Sequence, residues 1–338
     1  MAKKILVVTA GCDAQGHLQP ITAAQKAQLE DETLLAASGV SLGQGGGAVG
    51  DAGGEPLGYA ALLFEALSPC CTGPVVQAMP ALAEALRLDW AFISEGQKLS
   101  DFKVLAMDMD STVINIECID EIADFCGKKA EVAAITEAAM RGEIADYGES
   151  LRRRVALLKG LPESVLQKVI DERLQINPGA RELVAAAKAA GLHTLLVSGG
   201  FTQFTHHVAQ VLGFDQVNCN ALEIVDGQLT GGLVGRLVDG SVKKAAFEAA
   251  CAARGATPAQ GIAVGDGAND LPMMSVAGMS VAYRAKPAVA EKASRQIRFG
   301  RLDSILTGID LKIAVVACLK SLSLIGHGNT IGIRWVVP

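Results

Sequence analysis

Four short apolar runs decide which architectures are open to this chain: Val104–Met107, 193–197, 261–264 and 279–282. Each is too short for a buried helix, the first three end in Asp, Ser or Gly, and alanine-rich helical stretches separate them. Alternation of short buried strands with helices predicts an α/β fold built on a mainly parallel sheet. Between the first and second runs the texture changes. Residues 119–177 are richly charged, show helical periodicity over 131–140 and 147–158 and again after Pro162, and close on Asn177-Pro178-Gly179. An insertion there predicts a helical cap over the carboxyl ends of the strands.

The expected organisation is α/β: a Rossmann-like parallel sheet core over 102–305, an inserted helical cap at about 117–177, an amino-terminal region over 1–95 and a tail over 306–338. In the amino-terminal region, the run Ile5-Leu6-Val7-Val8 reads as a first strand, 75–88 as a helix and 90–93 as a short strand. The glycine-crowded stretch 39–58 reads as a loop or linker, since glycine gives a strand little to pack. Near the other end, 309–325 is apolar but interrupted by Asp310, Lys312 and Lys320, which reads as a buried or surface helix and not a membrane span.

Composition narrows the function classes. Half of the 338 residues are hydrophobic and 20% are charged, which excludes a globally disordered or fibrous chain. A net charge of −6 with 4% aromatic residues argues against nucleic-acid binding. Eight cysteines are scattered without a CxxC pair, as expected of free thiols in a reducing cytosol and not of a zinc site or disulfide framework. A cytoplasmic protein with no membrane or nucleic-acid partner is expected.

Four places carry chemistry. Val104–Met107 runs into Asp108-Met-Asp110-Ser-Thr112, which sets two carboxylates at the carboxyl edge of the sheet, where open α/β sheets bind ligands. Two acids so close repel, and a divalent cation is the usual way to keep both ionised. The hydroxyls of Ser111 and Thr112 would suit a phosphate. Leu195-Leu-Val-Ser198-Gly199-Gly200 ends a strand in a hydroxyl and two glycines, with a helix expected near Thr202. Exposed backbone N–H groups there could cradle an anion. Lys243 stands at the start of a predicted helix. Finally, Gly265-Asp266-Gly-Ala-Asn269-Asp270 follows a strand with acids where a dinucleotide turn would need none. Together these supply acids for a metal, an anion cradle and a cation, which suits phosphoryl transfer through a carboxylate.

These residues resemble the four motifs of the haloacid-dehalogenase-like phosphatases. The strings Glu117-Cys-Ile-Asp-Glu-Ile-Ala, Ile135-Thr-Glu-Ala-Ala-Met140-Arg-Gly, Ser150-Leu-Arg-Arg-Arg154-Val and Leu222-Glu-Ile-Val-Asp-Gly-Gln-Leu-Thr-Gly resemble the branch of that family that hydrolyses phosphoserine. The resemblance covers about 102–305. It implies that Asp108 is the nucleophile and Asp110 the general acid and base. It implies Mg²⁺ on the side chains of Asp108 and Asp266 and the main-chain carbonyl of Asp110, with Asp270 supporting that site. Ser198, Gly199 and Lys243 would hold the phosphoryl oxygens, and Asn269 the substrate or its phosphate. Glu117 would take the substrate's ammonium group and Arg154 its carboxylate. Met140 and Tyr147 would exclude water from beneath the cap. The family usually has phenylalanine where Tyr147 aligns, which leaves an extra hydroxyl to place.

Several competing readings follow from the same residues. Arg152, Arg153 and Arg154 form a basic run of which one is expected to point inward, and Lys244 adjoins Lys243. His206 and His207 read as surface residues, Met273 and Met274 as core, and the cysteines as small buried hydrophobes. Rival functions are a phosphatase or phosphotransferase for another small phosphomonoester, and a non-catalytic sensor on the same fold. Relatives often carry an amino-terminal regulatory unit of βαββαβ type, which the glycine content of 39–58 does not spell out. A homodimer is compatible with the resemblance.

Overall fold

The computed structural model describes residues 4–33, 37–41, 59–64, 72–94, 96–141, 143, 144, 146–307 and 309. In the amino-terminal part, the apolar run after Lys4 forms strand β1 (Lys4–Thr9). A two-stranded ribbon follows, β2 (Gly11–Cys12) and β3 (Leu18–Gln19), then helix α1 (Ala23–Thr33), strands β4 (Ala37–Ser41) and β5 (Tyr59–Phe64), helix α2 (Thr72–Leu86) and strand β6 (Asp89–Ser94). The main sheet has the order β4-β5-β1-β6 and is antiparallel throughout. Leu6 and Val8 of β1 join Leu29 of α1 and Val75, Met79 and Leu82 of α2 in one apolar cluster. Setting the ribbon aside, this is a βαββαβ succession of the ferredoxin-like kind.

That finding corrects the reading of 39–58 as loop throughout. Gly39, Val40 and Ser41 lie in β4 and pair with Leu62, Ala61 and Tyr59. A ladder is made by backbone groups, which glycine shares with every other residue, so a good partner strand outweighs weak propensity. The rest of that stretch lies outside the described residues, as do Cys70, Cys71, Cys318 and 310–338. Among the described residues no helix is long and apolar enough to cross a membrane.

The core begins with β7 (Val104–Met107), followed by the cap helices α3 (Cys118–Phe125), α4 (Lys129–Met140), α5 (Tyr147–Ala156) and α6 (Ser164–Glu172). The chain returns through α7 (Ala180–Ala189) to β8 (His193–Phe201), α8 (Thr202–Leu212) and the hairpin β9 (Gln216–Val225) and β10 (Gln228–Val234). Then come α9 (Gly240–Ala253), β11 (Gly261–Gly265), α10 (Leu271–Met274), β12 (Met279–Tyr283), α11 (Pro287–Ala290) and β13 (Arg295–Ile297). The seven strands lie in the order β10-β9-β8-β7-β11-β12-β13, parallel except for β10, which runs antiparallel along β9. The expected α/β core with an inserted helical cap is what the chain forms, with an antiparallel edge added.

Side chains alternate across this sheet as the pleat requires. Leu105, Met107, Leu196, Ile262 and Val264 join the cluster beneath the cap and α7, whereas Val104, Ala106, Leu195, Val197 and Ala263 face α9 with Phe247 and Cys251. The two clusters cover both faces, so the strands are buried on both sides and read as continuous apolar runs. Where a run ends, its next residue emerges at the carboxyl edge. That edge is roofed by the cap, which the β9–β10 hairpin pins in place: Gly160 N–H donates to Leu229 C=O, and Leu229 N–H to Leu161 C=O, both at 2.8 Å.

One boundary differs from expectation. Strand β8 does not stop at Val197 but continues through Ser198, Gly199 and Gly200 to Phe201, with its pairing to β9 broken between Val197 and Phe201. The glycines form an irregular stretch inside a strand and not a turn after one. At the opposite edge, Asp89 of β6 is buried and accepts N–H bonds from Arg298, Phe299 and Gly300, which fastens the amino-terminal unit to the core.

Candidate active site

The chain leaves β7 with Asp108, whose N–H still donates to Val264 C=O of β11 at 3.0 Å. It then turns sharply. Asp110 is extended, and Ser111 takes φ of 55°, the left-handed region that a non-glycine residue enters only when its surroundings hold it there. Those surroundings are identifiable. Ile114 N–H donates back to Met109 C=O at 3.0 Å, and the Asn177 amide donates to the carbonyls of Thr112 and Ile114, each at 2.9 Å. Asn177 closes the cap insertion, so the two ends of the insertion meet beneath the acids.

Lys243 reaches this turn from the first turn of α9, which Asp239 caps by accepting Val242 N–H at 2.9 Å. Its side chain is completely buried, with Nζ 2.8 Å from Asp108 Oδ1 and 2.7 Å from Asp270 Oδ1. The neighbouring Lys244 is only half-buried and sits 3.8 Å from Glu248. Asp270 also accepts the N–H groups of Asp266 and Gly267 on Oδ2, at 3.2 and 3.0 Å. This folded-back loop needs Gly265: a Cβ there would lie within 2.5 Å of the Asp270 carboxylate. Asp266 in turn accepts the Thr112 hydroxyl on Oδ1 at 2.9 Å.

One carboxylate oxygen from each of Asp108, Asp266 and Asp270 lies within 4.8 Å of the others. Burial raises the pKa of Asp108 well above the usual range, and Asp270 and Asp266 add to that, while Lys243 opposes it. Asp266 is pushed up to about 7, by burial first and then by Asp270 and Glu117. Burial works against the charge on Lys243 as well, yet the carboxylates of Asp108 and Asp270 hold its pKa above the ordinary value. Fully ionised, three carboxylates against one ammonium would leave two negative charges uncompensated. An all-oxygen donor set with that excess fits a hard divalent cation such as Mg²⁺. Asp270 has both oxygens engaged by protein donors, and Asp108 Oδ1 already accepts Lys243 and Met109 N–H. Asp266 is therefore the side chain left to face an ion, with Asp108 beside it and its Oδ2 free of protein donors.

On the neighbouring strand Ser198 is fully buried and its Oγ accepts Gly200 N–H at 2.8 Å. The bend is tied from behind by Asn220, whose amide donates to Gly199 C=O at 2.7 Å and accepts Val238 N–H at 2.8 Å. Asn269 is half-buried on the Gly267 loop. Asp110 accepts two bonds from Cys118 at the start of α3, from the backbone N–H at 3.3 Å and from the thiol at 3.0 Å. Burial, and after it the charge of Glu117, pushes Asp110 up to about 7. Glu117 accepts the Ser111 hydroxyl at 2.7 Å and feels the positive charge of Arg154.

The cap completes the enclosure. Of the three consecutive arginines, Arg152 and Arg153 are exposed and lie 3.9 Å from Asp146 and 2.7 Å from Glu149 respectively. Arg154 is half-buried, donates weakly to Ser150 C=O at 3.4 Å, and has no carboxylate partner among the described residues. Tyr147 opens α5 after Asp146, which caps that helix. Met140 ends α4, and its side chain lies outside the described residues.

Residues 105–275 match the family model of the haloacid dehalogenase-like hydrolases. The chain belongs to that family. It is 61% identical over 213 residues to the phosphoserine phosphatase of Albidiferax ferrireducens, an alignment covering 62% of this chain and 90% of that one. The phosphoserine phosphatase of a Polaromonas species is 59% identical over the same shares. Among solved structures, a probable phosphoserine phosphatase from Vibrio cholerae superposes with a TM-score of 0.70 at 32% identity, covering 96% of this chain and 90% of that chain. A phospho-aspartyl intermediate analogue of phosphoserine phosphatase superposes at 0.58 with 38% identity, covering 62% and 99%.

Within this hydrolase several site residues carry roles that the sequence reading passed over. The hydroxyls of Ser111 and Thr112, expected to suit a phosphate, instead bind Glu117 and Asp266. Cys118 is buried as expected of a small hydrophobe but also donates to Asp110. Asn177 and Asn220 brace the two loops from behind. Their only signal in the sequence is a polar amide in an otherwise apolar neighbourhood, which does not say what it bonds. His206 is exposed and Met273 and Met274 are buried, and none of them joins the site.

Proposed function

We propose that this hydrolase releases phosphate from O-phospho-L-serine through an aspartyl-phosphate on Asp108, yielding L-serine as the last step of its biosynthesis. The observation that carries the reading is the division of labour between two acids one residue apart. Asp108 is fixed by Lys243 and Met109 through Oδ1, with Oδ2 left to react. Asp110, raised to about 7, is suited to hold a proton near neutrality.

In the first half-reaction Asp108 Oδ2 forms a bond to phosphorus while the bond from phosphorus to the seryl oxygen breaks. Asp110 gives its proton to that departing oxygen, which would otherwise leave as a poor alkoxide. In the second, Asp110 takes a proton from water as the water oxygen bonds to phosphorus, and the bond to Asp108 breaks. Lys243, the Ser198 hydroxyl and the backbone around Gly199 hold the phosphoryl oxygens where charge accumulates. Asp108, Asp266 and the main-chain carbonyl of Asp110 would hold Mg²⁺, which supplies charge neutralisation for the phosphoryl group when bound. Asp270 keeps the Asp266 loop and Lys243 in place, and Asn269 contacts the substrate from the same loop.

Glu117 and Arg154 select the substrate. An acid and a guanidinium that has no carboxylate partner among the described residues, in mutual electrostatic range, match the ammonium and carboxylate of an amino acid, which a sugar phosphate lacks. Tyr147 covers the site from the cap, a part that the resemblance also gives Met140. The names of the relatives support the same substrate. The test is magnesium-dependent phosphate release measured with phosphoserine, phosphothreonine and sugar phosphates. Phosphoserine should be preferred by at least about tenfold in kcat/KM, and a chelator should abolish turnover. Equal rates on sugar phosphates would overturn the substrate assignment.

A further inference from the structure

The hydroxyl of Tyr147 has a definite place. A Cβ built on Gly199 would lie 2.2 Å from that oxygen and 3.4 Å from the ring carbon bearing it, so the phenol approaches the anion-cradling bend end-on, hydroxyl first. The oxygen fills the space that any other residue at 199 would need for its side chain. No hydrogen-bond partner holds the hydroxyl among the described residues. Its surroundings are the reacting groups: Lys243 and Arg154 on the positive side, Asp108 and Asp110 on the negative. Burial keeps the phenol protonated, pushing its pKa up to about 12, so it is a donor at neutral pH.

A hydrophobic cover does not require this oxygen, and phenylalanine, usual in the family at this place, would cover as well. A phenolic donor aimed at the bend beside Ser198 has one obvious acceptor, a phosphoryl oxygen. We propose that the Tyr147 hydroxyl donates a hydrogen bond to the transferring phosphoryl group, so that the cap supplies a ligand to the reacting centre as well as a cover. The proposal rests on the phosphatase reading above. In its light, closing the cap adds a donor where negative charge is greatest, coupling closure to chemistry.

The experiment compares the magnesium-loaded wild-type protein with Tyr147→Phe, which removes one oxygen and keeps the ring. Each is titrated calorimetrically with orthovanadate, a probe of the phosphoryl position, and with L-serine, which carries only the groups facing Glu117 and Arg154. Loss of a donor to a charged group should raise the orthovanadate Kd about tenfold and leave the L-serine Kd within about twofold. An unchanged orthovanadate Kd would overturn the proposal. So would a parallel weakening of both ligands, which is what a merely structural latch on the cap would give. Failure of the underlying reading is distinguishable: a wild-type protein that binds no orthovanadate, or turns over no phosphoserine, would remove the phosphoryl site itself.

Discussion

Thr112 and Asp266 stand 154 residues apart in the chain, yet the hydroxyl of one donates to the carboxylate of the other at 2.9 Å. The bond ties the turn after β7 to the turn after β11, and it orients one of the three acids that could hold a cation. Thr112→Val keeps the shape and removes the donor. Removing such a supporting contact should weaken Mg²⁺ binding by about 10–100-fold, read as the magnesium concentration for half-maximal activity and by calorimetry.

Asp108→Asn should keep the fold, because an amide oxygen can still accept Lys243 and Met109 N–H. Nucleophilicity at the second position is lost. Turnover of phosphoserine should fall by roughly four orders of magnitude or more, with an unchanged circular dichroism spectrum. Substantial residual turnover would refute the nucleophile assignment.

Lys243→Met leaves Asp108 and Asp270 buried without their shared cation. Breaking a buried ion pair by removing one partner costs about 3–5 kcal/mol, so the variant should be that much less stable to denaturant in the absence of Mg²⁺. Added Mg²⁺ should recover part of the loss, since it neutralises the same carboxylates.

Arg154→Met should raise KM for phosphoserine by about 10–100-fold. Phosphoethanolamine, which lacks the carboxylate, should be hydrolysed equally well by both proteins. A uniform loss on the two substrates would show that Arg154 supports the cap and does not read the substrate.

Asp215 offers a test of stability against pH outside the site. Burial raises its pKa, but hydrogen bonds from Lys188 and from the N–H and hydroxyl of Thr194 outweigh that and hold it down at about 2. A carboxylate depressed in the folded state adds stability that is full well above its ordinary pKa near 4 and is lost as pH falls toward 2. Allowing for its partial exposure, the contribution is about 1–2 kcal/mol. Asp215→Asn should cost that much at pH 7 and less at pH 3, measured by urea denaturation at both values.

Strand positions, the cap insertion and the acidic turns after β7 and β11 were legible in the chain because each depends on local pattern. A strand buried on both faces must be apolar along its whole length, and the residue after it must emerge at an edge. Val104–Met107 followed by Asp108 therefore announces a site without any knowledge of neighbours. The same logic failed at Gly39–Ser41, where pairing with β5 outweighed the poor propensity of glycine, and at Ser198–Phe201, where β8 ran on past its apolar run.

Partnership was decided by the fold. Lys243 and Lys244 are adjacent residues of one type in the chain; the packing of α9 buries the first between Asp108 and Asp270 and leaves the second half-buried beside Glu248. Thr112 could have served a phosphate but binds Asp266, and the extra oxygen of Tyr147 meets Gly199. Hydrogen bonds and ion pairs act over about 3 Å, and which distant groups come that close depends on how strands and helices pack, a property of the whole chain and not of any stretch of it.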